Sequence, residues 1–217
     1  MNPSRQAIIE AALEMESLGL TRGSSGNISL RSETGFLITP SGMPPRTLQP
    51  EYLVQMTMDG DWSGTRKPSS EWRFHRDIYL ARPEIAAIVH SHPPFGIALA
   101  SHGRGIPAFH YMVAMAGGRD IRCAPYATYG TQELSDHAVA AMEGRFACLL
   151  ANHGMIAAGK SLERAVALAV EVESLAEGYW RALQIGEPVI LGDDEMDLII
   201  EKFKNYGANA QTGDTAS

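Results

Sequence analysis

Two apolar runs that end in histidine constrain the fold of this chain more than any other feature. The runs "IAAIVHSH" (residues 85–92) and "FACLLANHG" (residues 146–154) have the length and aliphatic content of buried β-strands. His90 and His92 are separated by one residue, so an extended backbone directs both imidazoles to the same face of a sheet. His153 occupies the same place in the second run, just before a glycine turn. The sequence therefore predicts a sheet whose strand ends carry three histidines.

These histidines have two interpretations. Three neutral imidazoles with one open coordination position form the ligand set of a catalytic zinc-type site, so His90, His92 and His153 are candidate metal ligands. Histidines satisfied within a core or on a surface would give the same pattern, and the spacing alone leaves both interpretations open. The other histidines lack partners at ligand spacing, and we interpret them as packing or hydrogen-bonding residues: His75, His102, His110 and His137.

Helical patterns precede, separate and follow the predicted strands, which favours a mixed α/β domain. The first predicted helix begins near Pro3 and closes at Gly19. The segments "NISLRS" and "GFLITPS" predict a hairpin, and "YLVQMTMDGDW" predicts a further strand with its turn. Four more helices are predicted in "SSEWRFHRDIYLARP", "TQELSDHAVAAMEG", "SLERAVALAVEVESLAEGYWRALQIG" and "DDEMDLIIEKFKNYG". We expect one domain over residues 1–207 and a flexible tail of small polar residues over 208–217.

Composition narrows the class of protein. The 217 residues carry a formal net charge of −7, which disfavours nucleic acid and anionic membranes as partners, since both attract cationic surfaces. The two cysteines, Cys123 and Cys148, cannot build a disulfide framework. The N-terminal segment contains glutamates and lacks the apolar core of a signal peptide, and no run is long enough to span a membrane. We therefore expect a reduced, cytoplasmic protein.

Glu71 is a candidate for the chemistry that accompanies a metal. It follows Ser69 and Ser70 at the predicted start of a helix, where the helix dipole favours any carboxylate. It is therefore either an ordinary N-terminal glutamate or a carboxylate that serves as a fourth ligand or a general base. The hydroxyls and free backbone N–H groups at the same helix start form a typical anion site.

Two loops rich in glycine and serine suggest a phosphate site. The loops "GSSGN" (residues 23–27) and "TPSGMP" (residues 39–44) combine small residues with hydroxyls, so backbone donors can approach a phosphate closely. Ordinary turns use the same residues, and each loop alone is weak evidence. Together with the serines before Glu71, they indicate that an acidic protein binds a phosphorylated metabolite through local donors.

Eight segments along the chain resemble the class II aldolase/adducin family. In chain order they are "GSSGNIS", "LITPSGMP", "KPSSEWRFH", "VHSHP", "HYMVAMAGG", "CAPYATYGTQEL", "NHGMIA" and "EKFKNYG". The resemblance covers nearly the whole chain. It implies a single-domain α/β/α sandwich around a mostly antiparallel central sheet. It also implies a homotetramer with active sites between subunits.

The resemblance also implies roles for individual residues. His90, His92 and His153, together with Glu71, would hold a divalent metal, usually Zn²⁺, with Mn²⁺ or Co²⁺ as possible substitutes. Glu71 would also act as the acid/base during turnover. Tyr111 would act in the neighbouring subunit's site as the base for the C4 hydroxyl. The implied contacts with phosphate and with the aldehyde end are Asn27, Ser41, Gly42, Ser69, Ser70, Tyr129, Phe203 and Tyr206.

The implied activity is the reversible cleavage of a ketose 1-phosphate to dihydroxyacetone phosphate and an aldehyde. L-Fuculose 1-phosphate and a 5-deoxy- or 5-methylthio-ketopentose 1-phosphate are the candidate substrates. Other reactions of the family are dehydration of methylthioribulose 1-phosphate, 4-epimerisation of pentulose phosphates and decarboxylation of phosphorylated keto acids. The 4-epimerases carry aspartate where this chain has Glu71, and the non-enzymatic adducin branch lacks the metal ligands, so both rank below the aldolase.

Overall fold

A computed structural model of the chain describes the backbone of residues 3–205. Within this range, one eight-stranded sheet forms the centre of the molecule. The strands are β1 (Asn27–Ser32), β2 (Gly35–Ile38), β3 (Val54–Met56), β4 (Trp62–Ser63), β5 (Ala87–Ser91), β6 (Arg122–Ala124), β7 (Ala147–Leu150) and β8 (Gly154–Gly159). Their order across the sheet is β4-β3-β2-β1-β5-β8-β7-β6, which places β5 between β1 and β8.

The sheet is antiparallel except where β6 runs parallel to β7. On β5, Ile88 belongs to the core on one side of the sheet and Val89 to the core on the other side. Because both faces are covered, successive residues of this strand are all apolar until the histidine. The register then pairs His90 with Asn27 on β1 and with Ile156 on β8. The predicted, mostly antiparallel sheet is confirmed.

Helices cover both faces of the sheet. They are α1 (Pro3–Ser17), α2 (Trp72–Ala81), α3 (Pro94–Ala100), α4 (Gln132–Ala141), α5 (Leu162–Ile185) and α6 (Asp193–Asn205), and 3₁₀ helices lie at Pro45–Thr47, Pro50–Tyr52 and Tyr111–Ala116. The buried side chains of α2 and α4 share one core with Ile88 and Ile156, and those of α1, α3 and α5 share the other core with Val89. The fold is therefore an α/β/α sandwich, as the resemblance implied.

Local capping explains where two predicted helices begin. The side chain of Thr131 accepts a hydrogen bond from the backbone N–H of Leu134 at 3.2 Å, at the start of α4. Ser161 accepts one from the N–H of Arg164 at 3.3 Å, at the start of α5. Each bond satisfies one of the N–H groups that a helix start leaves without a partner within the helix.

Several short elements were absent from the sequence prediction. Strand β8 has the segment "GMIAAG", whose terminal glycines resemble loop residues. Helix α3 begins at Pro94 directly after Pro93, and a proline at the first helical position is compatible with a helix because its missing N–H would have no helical partner. The three-residue strand β6 and the 3₁₀ helices are too short to produce a periodic pattern.

Among residues 3–205, every helix is too short or too polar to cross a lipid bilayer. Tyr206 and the predicted tail at 208–217 lie outside the described residues. The prediction of a single domain over 1–207 stays a prediction.

Candidate metal centre and active site

The end of β5 places two histidines beside helix α2. The His90 ring is fully buried and meets the ring of Phe74 on α2 edge-on, with centroids 5.4 Å apart. Nδ1 of His90 donates to the backbone carbonyl of Met155 at 2.9 Å, which leaves Nε2 directed away from the strand pair. His92 follows just past the strand, and its ring centroid lies 4.7 Å from that of His90. A backbone carbonyl on the second ring nitrogen is the usual support of a metal-binding histidine.

The third histidine reaches the same point from the turn between β7 and β8. Asn152 has a φ of 54°, a left-handed conformation that turns the chain and presents His153 beside the other two rings. Gly154 is required because a Cβ there would lie 2.5 Å from Cδ2 of His92. One ligand nitrogen from each of His90, His92 and His153 falls within 4.8 Å of the others. The structure therefore brings the three predicted histidines together.

Glu71 completes the cluster from the start of α2, where it is the N-cap residue. Its Oε2 lies 3.2 Å from Nε2 of His90, and its Oε1 lies 3.2 Å from Nε2 of His153. Within the described chain, Oε1 of Glu71 and the Nε2 atoms of His90 and His92 are buried and have no hydrogen-bond partner. Buried polar atoms are rarely left without partners, so this cluster fits a bound cation that would satisfy all three.

The protonation states of the cluster favour the binding of a cation. Burial acts to raise the pKa of Glu71, but the nearby His90 and His153 outweigh it and hold the pKa below the ordinary glutamate value. Burial acts to lower the pKa of His90, but Glu71 outweighs it and the pKa is raised. Burial, followed by His90 and His153, lowers the pKa of His92 to about 4. Near neutral pH, the site therefore presents an ionised carboxylate and a neutral His92 imidazole, the form that binds metals.

A cavity of about 300 Å³ opens above the cluster. Its lining also includes residues of the two predicted glycine-serine loops and the serines that precede Glu71: Ser24, Ser25, Ser41, Gly42, Ser69 and Ser70. Among the described residues that line it, none is a lysine or an arginine. The start of α2 faces the cavity, and the partial positive charge of a helix N-terminus favours an anion there.

Residues 6–180 match the family described as the class II aldolase and adducin N-terminal domain. The chain belongs to this family. The family implies a divalent metal, and the unpartnered atoms of the histidine cluster fit that requirement.

Named relatives span almost the whole chain. A 5-methylthioribulose-1-phosphate/5-deoxyribulose-1-phosphate aldolase from Rhodospirillum rubrum is 60% identical over 207 residues, covering 95% of this chain and 94% of the relative. An L-fuculose phosphate aldolase from Escherichia coli K12 is 47% identical, covering 95% and 96%. A solved structure of an L-fuculose 1-phosphate aldolase superposes with a TM-score of 0.91 at 42% identity, covering 94% of this chain and 97% of that one.

Asn27 has an internal role that the sequence did not indicate. Its side chain is buried, and its amide nitrogen donates to Oε2 of Glu71 at 3.0 Å. Its amide oxygen lies 2.5 Å from Nε2 of His75, which is fully buried on α2. Asn27 still borders the cavity, so its predicted phosphate contact stays a prediction. Asn27 and His75 are 48 residues apart in sequence, so local spacing does not predict that they are in contact.

Two other predicted residues lie elsewhere within a single chain. Tyr111 and Phe203 stack with ring centroids 6.4 Å apart and line a separate cavity of about 580 Å³. The single chain therefore does not bring Tyr111 to the histidine cluster, and its predicted action in a neighbouring subunit stays a prediction. Tyr129 does line the histidine cavity, as do Tyr126 and Asn152, which the sequence analysis did not select.

Proposed function

We propose that this chain is a metal-dependent aldolase, a lyase that cleaves a ketose 1-phosphate to dihydroxyacetone phosphate and an aldehyde. The observation that carries the proposal is the set of unpartnered buried atoms of Glu71, His90 and His92 at the base of a serine-lined cavity. The aldolase names of relatives that span the chain support the same reaction. L-Fuculose 1-phosphate and 5-deoxy- or 5-methylthio-ribulose 1-phosphate are the substrates that these names suggest.

We propose Zn²⁺ as the metal, because three imidazoles and one carboxylate form a ligand set that zinc commonly takes. His90, His92 and His153 would hold it, with Glu71 as a further ligand in the resting enzyme. When bound, a divalent cation polarises the ketone carbonyl and stabilises negative charge that develops on its oxygen. Mn²⁺ and Co²⁺ are alternative occupants of the same ligands.

The phosphate end of the substrate is assigned to the serine and glycine residues that line the cavity. Ser41 and Ser70 are exposed there, and Gly42 offers a close backbone approach with a φ of +68° and open space at its Cβ position. Ser69 is buried, and its hydroxyl accepts a hydrogen bond from the N–H of Glu71 at 3.3 Å. This bond joins the Ser69 side chain to the backbone of Glu71, so the proposed phosphate contacts and the acid/base residue share one helix start.

The proton steps are assigned to Glu71 and Tyr111. The C4 hydroxyl loses its proton as the C3–C4 bond breaks, and C4 becomes the aldehyde carbon. The electron pair stays with the three-carbon fragment. Glu71, which is ionised in the resting site, would take up a proton from solvent and then deliver it to C3. Tyr111 of a neighbouring subunit, acting as its phenolate, would accept the C4 hydroxyl proton and become a neutral phenol. Its side chain is available to another subunit, since 48% of its surface is exposed in this chain. The reaction returns both proton carriers to their starting states when the proton passes between them through solvent.

The Tyr111 assignment requires an assembly, and we propose a homotetramer with active sites between subunits. Exposed aromatic side chains such as Tyr111 support a contact on this surface. We place the protein in the cytoplasm, where Cys123 and the buried Cys148 would stay reduced. Light scattering after size exclusion tests the assembly, and a mass of one subunit would contradict it.

A panel of phosphorylated ketoses tests the reaction. Metal-loaded protein is incubated with L-fuculose 1-phosphate, 5-methylthioribulose 1-phosphate and ribulose 5-phosphate, and dihydroxyacetone phosphate is measured with a coupled dehydrogenase. We expect it to form from at least one 1-phosphate. A dehydrated or epimerised product without dihydroxyacetone phosphate would overturn the proposal.

A further inference from the structure

A continuous chain of buried hydrogen bonds runs from Glu71 into the protein interior. Asn27 bridges Glu71 and His75, as described above. Nδ1 of His75 then lies 2.7 Å from the hydroxyl of Ser29, which lies 2.8 Å from the hydroxyl of Tyr79. Exposure is 0% for His75 and Ser29 and 1% for Tyr79, so water does not compete for these bonds.

The register of the sheet builds this chain. Asn27 and Ser29 are alternate residues of β1, so their side chains lie on the same face, toward α2. His75 and Tyr79 are four residues apart on α2 and therefore lie on the same side of that helix. The ring of Phe74 stacks on His75 with centroids 4.7 Å apart, which fixes the plane of the imidazole.

The donor and the acceptor of each hydrogen bond in this series can be assigned by starting from the Glu71 carboxylate. An ionised Glu71 only accepts, so Asn27 must present its NH₂ group to the carboxylate and its oxygen to His75. Nε2 of His75 must therefore carry hydrogen. Burial, followed by the nearby His90, lowers the pKa of His75 to about 3, so the ring is neutral and Nδ1 has no hydrogen. Nδ1 accordingly accepts from Ser29, and Ser29 accepts from Tyr79.

We propose that His75 is a positioning residue of the reaction, acting through Asn27 to fix the Glu71 carboxylate. The bond from Asn27 occupies Oε2 of Glu71, whereas Oε1 accepts no hydrogen bond within the described residues and lies 3.2 Å from Nε2 of His153. Oε1 is then the oxygen that exchanges a proton or meets the metal. Without the Nε2–H of His75, the Asn27 amide can rotate, and its oxygen would repel the carboxylate. This inference rests on the proposed function, because it assigns Glu71 the acid/base role.

The tautomer of His75 is the first test, and it requires no substrate. Protein labelled with ¹⁵N-histidine is examined by NMR, metal-free and with zinc bound. We expect a neutral His75 with hydrogen on Nε2 in both forms at neutral pH. A hydrogen on Nδ1, or a charged ring, would overturn the directed chain and with it the positioning role.

A pair of isosteric variants is the second test. The side-chain nitrogen of glutamine matches Nε2 of histidine, so His75→Gln keeps the donor to Asn27, whereas the shorter His75→Asn loses it. We expect His75→Asn to lower kcat by about 10- to 100-fold with KM unchanged, as for other residues that orient a metal ligand. His75→Gln should recover most of this loss.

The two variants also separate the possible failures. Equal kcat for His75→Asn and His75→Gln, or a change in KM alone, contradicts the positioning role while the aldolase reaction stands. A wild-type protein that cleaves none of the ketose 1-phosphates contradicts the proposed function instead. If His75→Asn does not fold, the tautomer of the wild-type protein still decides the direction of the chain.

Discussion

The histidines near Glu71 fall into two groups, His75 alone and the cluster of His90, His92 and His153, which differ in how their ring nitrogens are hydrogen-bonded. His75 is fully buried with a partner on each nitrogen. His90 and His92, in contrast, each have a buried Nε2 that is unpartnered within the described residues. Around Glu71, the fold satisfies the nitrogens of the proposed supporting residue and leaves without a hydrogen bond the Nε2 atoms of two proposed metal ligands. Among these histidines, the hydrogen bonding of Nε2 therefore distinguishes the proposed support from the proposed ligands.

Metal removal should produce the largest effect on the unsatisfied group. We expect chelation to abolish aldolase activity and zinc to restore it, because no other described group offers His90, His92 and Glu71 a shared partner. Free zinc at 100 times its dissociation constant should raise the free energy of unfolding by about 2.7 kcal/mol. This corresponds to a rise of about 5–10 °C in the melting temperature of a domain of this size. Calorimetry with and without zinc measures this shift. Unchanged activity in a chelated, metal-free protein would contradict the metal centre.

Glu71 lies between the two groups, and Glu71→Gln should have the next largest effect. The amide keeps one acceptor oxygen for Asn27 but cannot carry the transferred proton, so kcat should fall by about 10²- to 10⁴-fold. Circular dichroism should show an unchanged fold. Full activity in this variant would remove Glu71 from the acid/base role.

Leucine substitutions in metal-free protein test the difference between the two groups of histidines through the free energy of unfolding alone. His75→Leu leaves the oxygen of Asn27 and the hydroxyl of Ser29 without a partner, and we expect a loss of about 2–4 kcal/mol in the free energy of unfolding. His92→Leu removes a nitrogen that has no partner to lose, so its cost should stay below about 1 kcal/mol.

Urea unfolding at one protein concentration measures both values. Equal losses in the two variants would show that hydrogen-bond satisfaction does not distinguish the two groups. A loss on His92→Leu that appears only with zinc present would instead support the distinction, since it would report the lost ligand.

The difference between the two groups also explains what the sequence could predict. The strand pattern and the HxH spacing located His90 and His92, because alternation along one strand is a local property. The serines and the helix start made Glu71 a candidate, and the family resemblance implied its role and the sandwich fold. The partner of His75 depends instead on the register of β1 against β5 and on the packing of α2, which no single segment encodes. Whether a buried side chain finds its hydrogen-bond partners therefore depends on the tertiary structure.

The two serines before Glu71 also differ in whether their hydroxyls already form a hydrogen bond, and we expect smaller effects from their substitution. Ser70 is exposed in the cavity, whereas the hydroxyl of Ser69 already accepts from the N–H of Glu71. We expect Ser70→Ala to raise KM by about 10-fold with kcat unchanged, as for loss of one hydrogen bond to a charged group. The matched variant Ser69→Ala should lower kcat as well. Steady-state kinetics distinguish these results, and an unaltered KM for Ser70→Ala would place the phosphate elsewhere.

Substitution of two tyrosines should give the smallest effects on kcat/KM, and only one of them should distinguish between substrates. Tyr129 is 66% exposed and lines the cavity, whereas Tyr79 ends the buried chain. The aldehyde half of L-fuculose 1-phosphate carries a hydroxyl that the methylthio compound lacks. Tyr129→Phe should therefore lower kcat/KM for L-fuculose 1-phosphate by about 2- to 5-fold, and leave the methylthio substrate unchanged, since one exposed neutral hydrogen bond contributes about 0.5–1 kcal/mol.

Tyr79→Phe is the control for this selectivity. Its hydroxyl donates to Ser29 and lies away from the cavity lining, so its loss should change both substrates by the same factor. Competition between the two substrates in one reaction measures the ratio of kcat/KM directly. A ratio that moves in Tyr79→Phe but not in Tyr129→Phe would mean that the buried chain, and not the cavity wall, sets the choice of aldehyde.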